Sequence, residues 1–282
     1  HSQITKTAAA ATNITMLFGC WQTGNTAENA NPGYSWSVAQ RGNGNAIPVY
    51  FKAKASAVVA AREDIWPEAP GTATIALPAP AGVVMSYESS SSSDVLGGIG
   101  AQILYIKYLD PTGNLQDKVL PMDGAPSTST GLTIRRMQHA TVLKAGADGE
   151  PDGTIIFTSA AGAATHFAIG AGENVDLTGI YTVPLGKRAL ITGGKVSIVT
   201  GSSNTEGKLS LVATQPLDGP NSRSKDGLFY NVLDVFCSAV VNDSFVLDPP
   251  IQLDELVDLK ARGIRLGGPG TYTMSVFLDI VE

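Results

Sequence analysis

The acidic stretch Asp148-Gly149-Glu150-Pro151-Asp152-Gly153 is the part of this chain whose residue types best suit chemistry. Alternating acids in a glycine loop present carboxylate oxygens to a hard cation such as calcium. Counted from Asp148, the position where an EF-hand closes with a bidentate glutamate is Ser159, and no helical pattern flanks the loop. The segment therefore reads as a solvated hairpin tip, with Asp148, Glu150 and Asp152 as a weak calcium candidate. A second acidic group, Asp254, Glu255 and Asp258, lies in "QLDELVDLKARG". A glycosidase-type carboxylate pair is defined by separation in space, so the sequence leaves that chemistry open. His1, His139 and His166 lack the spaced His or Cys partners of a metal site. No G-x-S-x-G elbow is present for a serine nucleophile. No catalytic residue and no cofactor is expected.

Two further stretches carry polar side chains in suggestive order. "SYESSSSSDVLGGIGAQILYIKYLD" (86–110) sets a run of five serines and three glycines before an apolar run. A phosphate-cradling loop needs a helix after its glycines, so that backbone N–H groups and the helix N-terminus face the anion. Here Ile103, Leu104, Tyr105, Ile106, Lys107 and Tyr108 follow instead, a strand pattern, and no Lys-Ser or Lys-Thr pair is present. The stretch reads as a connection between strands. Arg135 and Arg136 are adjacent, which on a strand turns them to opposite faces. One of them is expected to point inward and pair with a carboxylate.

The elements that must position these groups follow from composition and period. The chain has 282 residues, of which 16% are charged, with 31 Gly and 16 Pro. That mixture suits many short strands joined by tight turns and argues against helical bundles and coiled coils. A net charge of −6 without a basic block argues against nucleic acid as a partner. No apolar run approaches the roughly 18 residues that span a membrane as a helix, and the N-terminal residues lack the pattern of a signal peptide. Cys20 and Cys237 are far apart and form no CxxC motif. Two such thiols are expected to stay reduced, although a pairing between them is left open.

Residues 1–45 are polar and rich in Asn, Gly and Ala, with Trp21, Tyr34 and Trp36 among them. This segment reads as an extended N-terminal arm whose aromatics are candidate interface anchors. From residue 46 onward, runs such as "QILYIKYLD", "GTIIFTSA" and "TYTMSVFLDIVE" are punctuated by Asp110-Pro111-Thr112-Gly113-Asn114, Asp148-Gly149 and Asp152-Gly153. The expectation is an all-β protein of antiparallel β-sandwich or jelly-roll units. The boundaries are 1–45 for the arm, 46–162 for a first β-domain and 163–282 for a second β-sandwich or jelly-roll domain. The scattered aromatics are assigned to core packing rather than to a sugar platform.

The order of motifs resembles a group of tailed-bacteriophage virion structural proteins of marine phages. The residues that carry it are Ser92, Ser93, Asp94, Gly98, Gly100 and Ala101; then Tyr108, Leu109 and Asp110; then Tyr181, Thr182, Val183, Pro184, Gly186 and Lys187. The resemblance covers roughly residues 60–200. It implies a non-enzymatic particle component on the virion exterior, made in the host cytoplasm during assembly. Its partners would be the major capsid protein or other virion proteins. Capsid decoration (cement) is the favoured role, a tail fibre, spike or other tail-attached protein the alternative, and a glycan-processing enzyme a remote third. A homotrimer is expected, with Asp248-Pro249-Pro250 and the C-terminal strand as candidate contacts, because a chain with few charges has little means to blunt its sheet edges.

Overall fold

The computed structural model describes residues 47–55, 63–67, 75–159, 164–200, 206–214, 229–238, 241–267 and 270–281, all within one compact unit, Gly33–Glu282. These residues form sixteen strands and, among themselves, no helix. The reason is visible along the last strand, Gly270–Val281 (β16). Tyr272, Met274, Val276, Leu278 and Ile280 are buried, while Thr271, Thr273, Ser275 and Phe277 lie on the more accessible face. Apolar residues at every second position fit a pleated surface with one face in a core, and no helix has that period.

The strands form four antiparallel sheets that pack in two pairs. One sheet orders Ile47–Ala55 (β1), β16, Arg188–Thr200 (β11) and Val241–Leu253 (β14) as β1-β16-β11-β14. Its mate orders Ile180–Thr182 (β10), Asp258–Arg265 (β15), Glu206–Thr214 (β12) and Phe229–Ser238 (β13) as β10-β15-β12-β13. Phe51, Tyr181, Ile191, Leu211, Leu259 and Met274 from both sheets share one core. Renumbered by position in the chain, these eight strands run 1-8-3-6 in one sheet and 2-7-4-5 in the other. That is the strand order of a jelly roll, two Greek keys wrapped into a sandwich.

The remaining strands build a second sandwich. Thr128–Ile134 (β6), Val83–Ser89 (β3), Ile155–Ser159 (β8) and Thr165–Ile169 (β9) form one sheet in the order β6-β3-β8-β9. Leu115–Pro121 (β5), Ala101–Leu109 (β4) and Arg136–Ala145 (β7) form the other, in the order β5-β4-β7. Met85, Tyr87, Leu104, Ile106, Phe157 and Phe167 fill the space between them. Tyr87 stacks on Phe157, and Phe157 meets Phe167 edge-on. Each such ring contributes about 3–5 kcal/mol when fully buried, judged by the cost of truncating it to alanine.

The second body is inserted inside one strand of the first. Glu63–Asp64 (β2) pairs with β15 at Gly263 and Arg262, and β10 pairs with β15 at Lys260, Leu259 and Asp258. Ala261, between those two stretches, accepts from Ile65 N–H at 2.9 Å and donates to the Gly179 carbonyl at 2.8 Å. The strand beside β15 is thus one strand in space made from two pieces of chain. Residues 65–179 leave through its break and return. Gly179 has φ +60° and sits where the pieces cross; a Cβ there would lie 2.6 Å from the Ala53 methyl and 2.7 Å from the Ile65 carbonyl oxygen. Only glycine fits that crossing without strain.

The sheets do not divide the chain at residues 162 and 163. β1 pairs with β16 and belongs to the jelly roll, whereas β9 pairs with β8 and belongs to the inserted body. A β core is closed by pairing its first strand with its last, so sheet membership ignores position along the chain. For the same reason the C-terminal strand is no free edge: β16 is hydrogen-bonded on both sides, to β1 and β11. The Asp248-Pro249-Pro250 stretch does lie on an edge strand, β14. Edges here also carry blunting residues, Pro48 and Lys52 on β1, Lys118 and Pro121 on β5, and Pro249 and Pro250 on β14.

Candidate functional site

The densest polar site lies where the inserted body meets the jelly roll. β15 explains it. Leu259 and Ala261 face the jelly-roll core, so alternation turns Asp258, Lys260 and Arg262 to the opposite face. Asp258 and Lys260 are nevertheless buried. Charges out of water need partners, and Asp258 finds one 122 residues away: Arg136 Nε donates to Oδ1 at 2.8 Å and Nη2 to Oδ2 at 2.9 Å. Thr182 Oγ1 donates to the same Oδ1 at 2.6 Å. Gln138 then reads the Thr182 backbone, giving Nε2 to its carbonyl at 2.7 Å and taking its N–H on Oε1 at 3.2 Å.

A second knot lies beside it. Asp64 takes Lys260 Nζ at 2.8 Å on Oδ2, Arg262 Nε at 2.9 Å on Oδ1, and the Ile75 N–H at 2.7 Å. Burial pulls the Lys260 ammonium below the usual lysine range, against the pull of Asp64 in the other direction. Both knots hold one extended strap, Ile75–Pro78. Lys260 donates to the Ile75 carbonyl at 2.8 Å, His166 Nδ1 lies 2.6 Å from the Ala76 carbonyl, and Arg136 donates to the Pro78 carbonyl. Trp66, Ile75, Ala168 and Ile180 pack as a small apolar cluster in the same place. A hydrogen bond from the Leu185 N–H to the Gly113 carbonyl at 2.9 Å adds a link at the β4–β5 turn.

At the far end of β4 the serine- and glycine-rich stretch is folded around Asp94, which is fully buried. Its Oδ1 accepts Ala101 N–H at 2.7 Å and Asp152 N–H at 2.9 Å; its Oδ2 accepts Ser89 Oγ at 2.5 Å and Gly153 N–H at 2.9 Å. A Cβ on Gly100 would sit 2.1 Å from Asp94 Oδ1, and one on Gly98 2.3 Å from the Ser93 carbonyl oxygen. The glycines are there for close backbone approach. The stretch is a connection between strands, as expected, and it is packed into a knot around a buried carboxylate.

The sequence candidates fall into place unevenly. Asp148, Glu150 and Asp152 line a shallow depression with Pro151, Ala171 and Gly172. Asp152 turns its carboxylate to Ser91 Oγ at 2.6 Å. No group of three or more His, Cys, Asp or Glu among the described residues is gathered to hold a metal ion. Asp254, Glu255 and Asp258 also part company: Asp258 is buried against Arg136, while Glu255 accepts the Gly186 N–H at 2.7 Å. The inward arginine is Arg136. His139 pairs with Asp176 at 2.5 Å. Trp66, Tyr87, Tyr108 and Tyr181 are buried in the cores, as core packing requires. Trp21, Tyr34, Trp36 and Cys20 lie outside the described residues. Sequence reasoning missed the roles of Asp64, Asp94 and Lys260, because each has a partner more than fifty positions away in the chain.

The distal end of the inserted body, away from the junction, exposes apolar side chains. Leu96, Ile99, Val119 and Leu143 are each at least half exposed and lie on or beside the outer face of β4, β5 and β7.

No family model and no curated protein matches this chain. Among solved structures, T=1 particles derived from infectious bursal virus show 10% identity and a TM-score of 0.18, covering 84% of this chain and 69% of that one. The VP2 subviral particle of infectious bursal disease virus shows 8% identity and a TM-score of 0.18, covering 84% of this chain and 72% of that one. Likeness at that level carries no argument about fold or function.

Proposed function

We propose that this protein is a non-enzymatic structural component of a virion, a capsid decoration protein that binds the assembled shell and braces it. One observation carries the reading. Every buried charged or imidazole side chain among the described residues (Asp64, Asp94, Arg136, His166, Asp258, Lys260) bonds one part of the chain to another. Catalytic groups are typically set in a cleft with perturbed pKa values and room for a substrate; these are spent on holding the fold together, Asp94 within the inserted body and the others at or beside its junction with the jelly roll. The jelly roll is a scaffold shared by capsid proteins, lectins and enzymes, so the fold permits the role without dictating it. The motif order across residues 83–199 supports it further.

In this reading the N-terminal arm, with Trp21, Tyr34 and Trp36 as anchors, attaches to the major capsid protein or another virion protein, and three copies act together. Gold-labelled antibody against the chain on intact virions tests the assignment. Label spread over the head supports decoration. Label confined to the tail supports a fibre or spike component, and unlabelled particles overturn both. Deleting residues 1–45 should leave a folded β body that no longer binds particles. Light scattering at micromolar concentration reads the trimer, and a monomer of about 29 kDa refutes it.

A further inference from the structure

The Ile75–Pro78 strap touches both bodies, and one of the side chains that clamp it is an imidazole; the Ala76 N–H also donates to the Thr165 carbonyl at 3.2 Å. Asp64 and Lys260 hold it from the jelly roll; His166 of β9 and Arg136 of β7 hold it from the inserted body. His166 is 6% exposed. Its Nδ1 lies 2.6 Å from the Ala76 carbonyl oxygen, which can only accept, so the proton of the neutral ring is on Nδ1. Nε2 is buried and meets no hydrogen-bond partner. A lone pair in that position costs little. An N–H⁺ in its place would be a buried, unmatched, charged donor.

The neighbouring charges leave nothing to receive it. Three cations face the strap region, Arg136, Lys260 and Arg262, against two carboxylates, Asp64 and Asp258. Asp64 is engaged by Lys260 and Arg262, and Asp258 by Arg136 and Thr182. A further cation at His166 would be repelled by the Arg136 guanidinium. We propose that His166 is an acid switch on the strap: protonation expels the imidazole from its site, releases the Ala76 carbonyl, and loosens the joint between the inserted body and the jelly roll. Burial and the Arg136 charge both push the imidazole below the usual histidine value, and they outweigh the opposing pull of the Ala76 carbonyl.

The sign follows by linkage. The opened state binds a proton at the ordinary histidine value near 6.5, while the closed state resists it. Closure is therefore fully favoured above that pH and weakens as pH falls below it. Between the two values the opening constant rises by up to about tenfold per pH unit.

Trp66 reports on the strap, since it is buried against Ile75. In the full chain carrying Trp21→Phe and Trp36→Phe, Trp66 is the sole tryptophan. Its emission should shift to the red between pH 7.5 and 5.0, reversibly, with a midpoint below 6.5. His166→Asn keeps a donor near the Ala76 carbonyl and does not titrate, so it should hold the pH 7.5 spectrum down to pH 5.0. An unshifted wild-type emission at pH 5.0 overturns the switch, as does a shift with the same midpoint in His166→Asn. Should that variant fail to fold, the His166 imidazole proton resonances of the unaltered chain decide. Their titration midpoint must coincide with the Trp66 transition, and a midpoint more than one pH unit away overturns the proposal.

Discussion

Two buried carboxylates at opposite ends of the inserted body are satisfied in opposite ways. Asp94, at the distal end, takes three backbone N–H groups and one hydroxyl, all neutral donors. Asp258, at the proximal end, takes a bidentate guanidinium and a threonine hydroxyl. Neutral backbone donors are fixed by the path of the chain, so Asp94 shapes the loop it belongs to. A guanidinium on a long side chain reaches across a gap, so Asp258 joins two bodies. The difference teaches that the type of donor, more than the depth of burial, decides whether a carboxylate organises a loop or an interface.

The comparison breaks first at Arg136. Arg136→Ala leaves Asp258 buried without its counter-charge and should cost about 3–5 kcal/mol in urea unfolding. Replacing both partners, Arg136→Met with Asp258→Leu, should recover most of that loss, since a well-packed apolar pair avoids the desolvation of two ions. A cost below about 1 kcal/mol for the single variant would show that the pair is incidental.

Asp94→Ala should cost less, about 3 kcal/mol, because water reaches some of the four orphaned donors. Its signature is local. Hydrogen exchange should quicken at Ala101, Asp152 and Gly153 while Ile65 and Ala261 at the junction keep their protection; equal loss at both ends would erase the distinction drawn above. Asn at position 94 should recover only part of the protection, having one acceptor oxygen in place of two.

Gly179→Ala probes the split strand itself. A methyl at φ +60° against the Ala53 methyl and the Ile65 carbonyl should cost about 1–3 kcal/mol, read as a lowered Tm. A wild-type Tm would mean that the two chain pieces part easily. The smallest effect belongs to the distal apolar residues. Leu96→Ser with Ile99→Ser should change stability by no more than about 0.5 kcal/mol, since both side chains are exposed. A larger loss in thermal unfolding would show that the distal loop depends on them for packing.

Several parts of this arrangement were legible in the sequence. The turn Asp110–Asn114 was readable because its chemistry is local: Asp110 Oδ1 accepts the N–H groups of Thr112 and Asn114 at 2.9 and 3.0 Å. Alternation gave strands at β4 and β16, and adjacent arginines on a strand had to face opposite ways, which left one of them to be buried. Asp94 was quoted in a motif, yet its role stayed hidden because two of its donors come from residues 58 and 59 positions downstream. The acids of 148–152 looked alike in sequence, but Asp152 is turned to Ser91 by the same fold that brings its N–H to Asp94.

By itself the sequence determined the strand content, the local turns and the absence of a helical period, because all three depend on residues within a few positions of one another. Only the tertiary structure decided which strands are neighbours. The pairing of β1 with β16, the single strand made from β2 and β10, and the union of Arg136 with Asp258 each join residues more than a hundred positions apart. Period two says that a side chain faces a core; it does not say which core, or what charge waits there.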